Sequence, residues 1–170
     1  MKGYVQVYTG NGKGKTTAAI GLAMRASGAG KKIYIAQFVK GMKYSEIKTL
    51  EKFDNIDVDQ FGLKCFIVDK PKQEDIDAAV EGLKKVKEVI VSGNYDVVIM
   101  DEANIAVFFK LYSVDDLLAV VDLKPENVEL IITGRYAEDK LIERADLVTE
   151  MKEIKHYYNS GVEAREGIES

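Results

Sequence analysis

Gly10, Gly12 and Gly14 alternate with Asn11, Lys13 and Lys15, and Thr16 and Thr17 follow. Glycines at this density let a backbone curl until several N–H groups converge on one anion. A lysine after the last glycine reaches phosphate oxygens, and the hydroxyl of the next residue sits on a magnesium ion. These roles fall to Lys15 and Thr16. The usual spacing places a glycine five positions before Gly14, where this chain has Thr9; Gly10 and Gly12 supply the flexibility instead. Lys13 adds a second positive charge. The chemistry also needs a strand leading into the loop and a helix starting just after it, so that the helix N-terminus adds partial positive charge. Residues 4–8 alternate as a strand does, and residues 18–26 have the small, apolar spacing of a buried helix. The stretch is therefore expected to bind a nucleoside polyphosphate.

A second group is acidic. Asp101 and Glu102 directly follow the apolar run 96–100, and carboxylates at the end of a core strand are placed to hold magnesium beside such a loop, directly or through water. The other reading is that they cap the next helix. Thr133, Gly134 and Arg135 end another apolar run and should face the same crevice, because strand ends in parallel sheets form it. Arg135 either holds a phosphate or ribose oxygen or serves as a surface ion-pair partner. His156, the sole histidine, has no nucleophile to pair with and reads as structural. Cys65 reads as packing. Without a Ser–His–Asp set or a Cys/His cluster, the substrate is expected to bring its own nucleophile.

Positioning these groups takes a sheet. After the first helix, residues 33–38 form a second strand, and a strand, helix and strand in so short a space imply parallel pairing. A loop at 39–45 leads to a short helix at 45–53, then to an outer strand at 56–61. Residues 62–71 are apolar without a clear period, and either pack inward or touch an apolar ligand. The longest helix, 74–91, carries a stripe of Ile76, Val80, Leu83, Val86 and Ile90, with its lysines turned to water. A continuous apolar run at 96–100 suits the middle of a parallel sheet. Ser113 starts a helix with Asp115 and Asp116 in its first turn. Residues 129–133, 139–144 and 146–151 complete the pattern as strand, helix and strand. The expectation is an α/β fold, a mostly parallel sheet flanked by helices on both faces, in one domain spanning residues 1–170.

Composition limits the partners. A formal charge of −4 and a pI near 5.2 argue against a nucleic-acid surface. One cysteine allows no internal disulfide and fits a reducing cytosol, and no apolar run approaches a membrane span. A cytoplasmic protein without a membrane partner is expected.

Taken together, the motifs are specific. Residues 9–17, Arg25-Ala26-Ser27-Gly28, Gln37-Phe38-Val39-Lys40-Gly41, Asp101-Glu102, Ile132-Thr133-Gly134-Arg135, residues 145–151, Lys155-His156 and the tail 161–169 resemble the P-loop type ATP:corrinoid adenosyltransferases, in order and over nearly the whole chain. The off-register glycine loop belongs to that family's own pattern. The resemblance implies a P-loop NTPase-like (RecA-like) fold. It implies transfer of the 5′-deoxyadenosyl group of ATP to the Co(I) of cobalamin, cobinamide or cobyrinic acid a,c-diamide, with triphosphate released. By position, Gly10, Asn11, Gly12, Lys13, Gly14, Lys15, Thr16 and Thr17 hold the triphosphate. Thr16 and Glu102 hold Mg2+, and Arg25 and Arg135 lie near the nucleotide. Lys15, Thr16 and Glu102 form the catalytic set, and Phe66 meets the corrinoid. Relatives carry tryptophan where this chain has Val68, and longer ones carry an N-terminal helix over the site, so weaker corrinoid closure or help from a neighbouring subunit is expected. A homodimer and a flavodoxin-like electron donor are also implied. The residues alone leave open a P-loop NTPase or kinase acting on another acceptor, or a nucleotide-dependent regulator.

Overall fold

A computed structural model describes residues 2–42, 44–63, 67 and 70–169. Its centre is a six-stranded sheet of β1 (Val5–Thr9), β2 (Ile33–Phe38), β3 (Ile56–Phe61), β4 (Val97–Asp101), β5 (Glu129–Thr133) and β6 (Leu147–Glu150). The strands lie in the order β3-β2-β4-β5-β1-β6, and every pairing is parallel. All residues of β2 and β4 are buried, which is why these runs are apolar without alternation: helices cover both faces.

The helices are α1 (Lys15–Gly28), α2 (Ser45–Leu50), α3 (Gln73–Val91), α4 (Ala103–Phe108), α5 (Val114–Leu123) and α6 (Asp139–Arg144). Side chains alternate across each strand and sort into two cores. Ile33, Ile35, Val97, Ile99 and Ile131 meet Ala19 and Ala23 of α1 and Ile47 and Leu50 of α2. Tyr34, Ala36, Val98, Met100, Leu130 and Ile132 meet α3, α4, α5 and Leu141 of α6 on the other face. Burying each such aliphatic side chain is worth about 1.5–3 kcal/mol, so the two layers fix the sheet firmly. The expected α/β architecture, with helices on both faces, is the observed one.

Local signals explain the boundaries. Ser113 caps α5: its hydroxyl accepts from the Asp116 N–H at 3.1 Å, and the Asp116 carboxylate accepts from the Ser113 N–H at 3.0 Å. In α3 the buried stripe holds Ala79, Leu83, Val86 and Ile90, while Val80 is 49% exposed. The expected stripe placed Val80 inward; the small Ala79 takes that contact. Helix α4 shows no period in the sequence, since six residues are too few for one. Ile67 packs on the larger core; Cys65, Phe66 and Val68 lie outside the described residues.

Candidate active site

The crevice lies at the C-terminal ends of the strands. Register sets its floor. Gln37 of β2 pairs with Asp101 of β4, Met100 with Ile132 of β5, and Thr133 with Tyr8 of β1. Polar residues at one level on adjacent strands thus converge beneath the loop that joins β1 to α1.

That loop is held by the sheet's edge. The Gly12 N–H donates to the Met151 carbonyl at 2.7 Å, and the Met151 N–H donates to Thr9 O at 2.8 Å. A Cβ at Gly12 would come within 2.7 Å of that Met151 oxygen, and one at Gly10 would collide with it as well. Gly10 and Gly14 also adopt φ of 95° and 121°, left-handed values that favour glycine. The early glycines therefore answer to the chain after β6 as well as to any ligand. At the usual glycine position, Thr9 is buried within β1, and its Oγ1 accepts from the Ala137 N–H at 3.3 Å.

Lys15 is buried, and its ammonium donates to the carbonyls of Gly10 and Gly12, both at 2.8 Å. Burial lowers its pKa first and Arg135 lowers it further, while Glu102 and Asp101 oppose the fall. The loop lysine is thus poised among several charges within one crevice.

Asp101 is the hub. Its Oδ1 accepts from the hydroxyls of Thr16 at 2.8 Å and Thr133 at 2.7 Å. Its Oδ2 accepts from Lys40 Nζ at 2.9 Å and Gln37 Nε2 at 3.2 Å. Gln37 is oriented in turn by Gln60 Nε2, 2.9 Å away. A carboxylate 2% exposed is stable here because all its acceptor sites are used.

Glu102 follows with φ 57°. Its N–H donates to Thr133 Oγ1 at 3.0 Å, and its side chain makes no capping hydrogen bond to α4. The capping reading is therefore not the observed arrangement: the carboxylate lines the crevice. Burial raises its pKa first, and Asp101 adds to the rise against the pull of Lys40, Lys15 and Arg135.

The crevice encloses about 670 Å³, room enough for a nucleotide. Gly12, Lys13, Gly14, Lys15, Thr16, Thr17, Glu102 and Arg135 line it. Gly10 and Asn11 lie outside its walls; Asn11 is exposed, and Gly10 faces Met151. Arg25 is not among the wall residues. It sits exposed in the last turn of α1, ten residues past Lys15 and away from these walls, because a helix rising about 1.5 Å per residue carries it roughly 15 Å along. Phe66 lies outside the described residues.

Other walls had no assigned role. Lys40 stands on the floor, and Glu46 and Thr49 of α2 face it. His156 lines it as well, its Nδ1 accepting from the Tyr158 N–H at 3.1 Å. The tail closes one side: Gly167, Ile168 and Glu169 are wall residues, and Lys13 Nζ donates to Ile168 O at 2.8 Å and Glu169 Oε1 at 2.7 Å. The Gln37–Gly41, Lys155-His156 and 161–169 motifs were the only signals for these, and none states a location.

The donor set suits a hard cation. A threonine hydroxyl and a buried carboxylate share one point, and the Lys40 ammonium already rests on both, 3.4 Å from Thr16 Oγ1. Among the described residues no three His, Cys, Asp or Glu side chains gather as a metal centre. A divalent ion here would take its remaining ligands from phosphate and water, as Mg2+ does.

The chain's likenesses agree with this geometry. The profile of the family described as ATP:corrinoid adenosyltransferase BtuR/CobO/CobP matches residues 1–170. A corrinoid adenosyltransferase of Escherichia coli strain K12 is 32% identical over 168 residues, covering 99% of this chain and 86% of that protein. One from Sinorhizobium sp is 37% identical over 173 residues, covering 99% and 80%. Among solved structures, the KaiC-like protein PH0186 of Pyrococcus horikoshii superposes with a TM-score of 0.61 at 18% identity, over 88% of this chain and 73% of that one. That last likeness speaks to the fold.

Proposed function

The chain belongs to the ATP:corrinoid adenosyltransferase family, and on that premise we propose how its crevice carries out the transfer. The family's activity, ATP-dependent adenosyl transfer to a corrinoid, is the activity of this chain. The finer reading is that Co(I) attacks C5′ of ATP. A cobalt–carbon bond forms, the C5′–O bond breaks, and triphosphate leaves with the electron pair. The observation that carries it is the pairing of a cationic loop with the Thr16–Asp101 hydroxyl–carboxylate contact in one crevice.

In this reading Lys15, Lys13 and the Gly14 and Thr16 backbone hold the triphosphate, and Arg135 meets the nucleotide from the β5 side. Thr16, Asp101 and Glu102 would hold Mg2+, which would supply charge neutralisation on the leaving group. The protein's part is alignment: it fixes C5′ for a nucleophile that needs no proton removed. Phe66, on the apolar segment near residue 67, is the proposed corrinoid contact. The acceptor is a corrinoid such as cobyrinic acid a,c-diamide, reduced by a flavodoxin-like donor. We place the protein in the cytoplasm, working as a single domain in a homodimer; among the described residues no helix is long and apolar enough to cross a membrane.

One incubation tests the reading. Protein, Mg-ATP and chemically reduced corrinoid should yield triphosphate and a light-sensitive alkyl-cobalt product in equal amounts. ADP in place of triphosphate would overturn it.

A further inference from the structure

Lys40 is held more firmly than a surface lysine needs to be. It follows Val39, whose φ of 60° is a left-handed value that a β-branched residue adopts only under constraint. Gly41 and Gly62 supply the constraint. A Cβ at Gly62 would lie 2.5 Å from the Lys40 nitrogen, and one at Gly41 would lie 2.5 Å from the Gly62 carbonyl, so the two backbones touch directly. Val39 N–H also donates to Phe61 O at 3.1 Å. The packed turn directs the Lys40 side chain, 17% exposed, into the crevice.

Its ammonium ends on the oxygens that form the cation site, 2.9 Å from Asp101 Oδ2 and 3.4 Å from Thr16 Oγ1. Lys15 points elsewhere, to Gly10 O and Gly12 O. Lys15 and Lys40 therefore divide the work: one belongs to the loop, the other to the carboxylate.

We propose that Lys40 is an internal counter-ion that competes with a divalent cation for Asp101 and Thr16. It keeps this pair aligned, yields its place when a metal–nucleotide complex binds, and moves its charge onto the phosphates. Two cations cannot share Asp101 Oδ2 without repulsion, and Lys40 sits on a flexible stem in the wall of the same crevice. The inference rests on the triphosphate reading of the crevice. Its consequence is ordered loading: metal alone binds poorly, and metal with nucleotide binds well, because only the nucleotide offers Lys40 a new anionic partner.

The test uses Mn2+ and the electron paramagnetic resonance signal of the free ion. Nucleotide-free Lys40→Met should bind Mn2+ about tenfold more tightly than wild type, the scale of one close charge pair, while binding Mn-ATP more weakly. A purely structural role would loosen Asp101 and weaken Mn2+ binding in both states. Lys40→Arg, which keeps the charge and can grip Asp101 with two N–H groups, should bind nucleotide-free Mn2+ no better than wild type, and it serves if Lys40→Met does not fold. Equal or weaker nucleotide-free Mn2+ binding by Lys40→Met, or tighter binding by Lys40→Arg, would overturn the proposal. If wild type takes up no Mn2+ even with ATP, the triphosphate reading itself has failed.

Discussion

The hydroxyl of Thr16 donates to Oδ1 of Asp101 at 2.8 Å, joining the first turn of α1 to the end of β4. The bond links the phosphate-type loop to the acidic strand end across 85 residues. It also ties the geometry of the loop to that of the strand end, since the same carboxylate carries Lys40 and Thr133.

Asp101→Asn should be costly to the fold as well as to activity. An amide cannot accept from all four donors, and it leaves the Lys40 charge in a mostly buried place. A destabilisation of about 3–5 kcal/mol is expected, the range for breaking a buried ion pair. Urea unfolding measures it; a loss below 0.5 kcal/mol, the ordinary scatter of surface substitutions, would show that the hub is not structural.

Lys15→Ala should leave the fold intact and remove nucleotide binding. Its native contacts are two carbonyls of its own loop, whereas a charge-assisted contact to phosphate is worth about 1.5–3 kcal/mol, or roughly 10- to 150-fold in affinity. Calorimetric titration with Mg-ATP reads this. Unchanged affinity would remove the loop from the phosphate site.

Glu102→Gln should raise the magnesium concentration needed for half-maximal turnover and lower turnover itself. Its side chain caps nothing, so thermal unfolding should shift little, and removing a buried charge can even stabilise the fold. If the magnesium dependence matches wild type while the melting temperature falls, Glu102 is a structural residue.

The tail latch is sensitive to acid with a definite sign. The Glu169 carboxylate accepts from Lys13 Nζ, from the Arg165 N–H at 2.8 Å, from Arg165 Nη2 at 3.2 Å and from the Tyr157 hydroxyl. Arg165 first, then Lys13 and Tyr157, hold it far below the ordinary carboxylate range. A group depressed on folding stabilises the closed form above its unfolded pKa, and that help is lost as pH falls through the lower folded value. The tail should therefore stay closed at neutral and mildly acidic pH and open only in strong acid. Glu169→Gln should open it at neutral pH, seen as faster proteolytic cleavage beyond His156. A cleavage rate equal to wild type would mean that the remaining contacts hold the tail without this carboxylate.

The local chemistry was legible in the sequence. The loop from Gly10 to Thr17 is contiguous, so its cation, hydroxyl and glycine spacing can be read directly, and the strand and helix beside it show their periods. The buried runs 96–100 and 129–133 named the core strands, and the polar residues that end them, Asp101, Thr133 and Arg135, named the crevice. The Ser113–Asp116 cap was readable for the same reason, being closed within four residues.

What only the tertiary structure decided are the contacts between segments. Lys40 and Asp101 lie 61 positions apart, and Lys13 and Glu169 lie 156 apart. The order β3-β2-β4-β5-β1-β6 sets β2 beside β4 and β6 beside β1; periodicity shows that a strand exists and is silent on its neighbour. The same cause placed Met151 against Gly12, let Ala79 displace Val80 from the core, and left Arg25 outside the crevice. Side-chain period is a property of one segment, whereas a site is the meeting of several, and the packing of two helix layers on one twisted sheet chooses which of them meet.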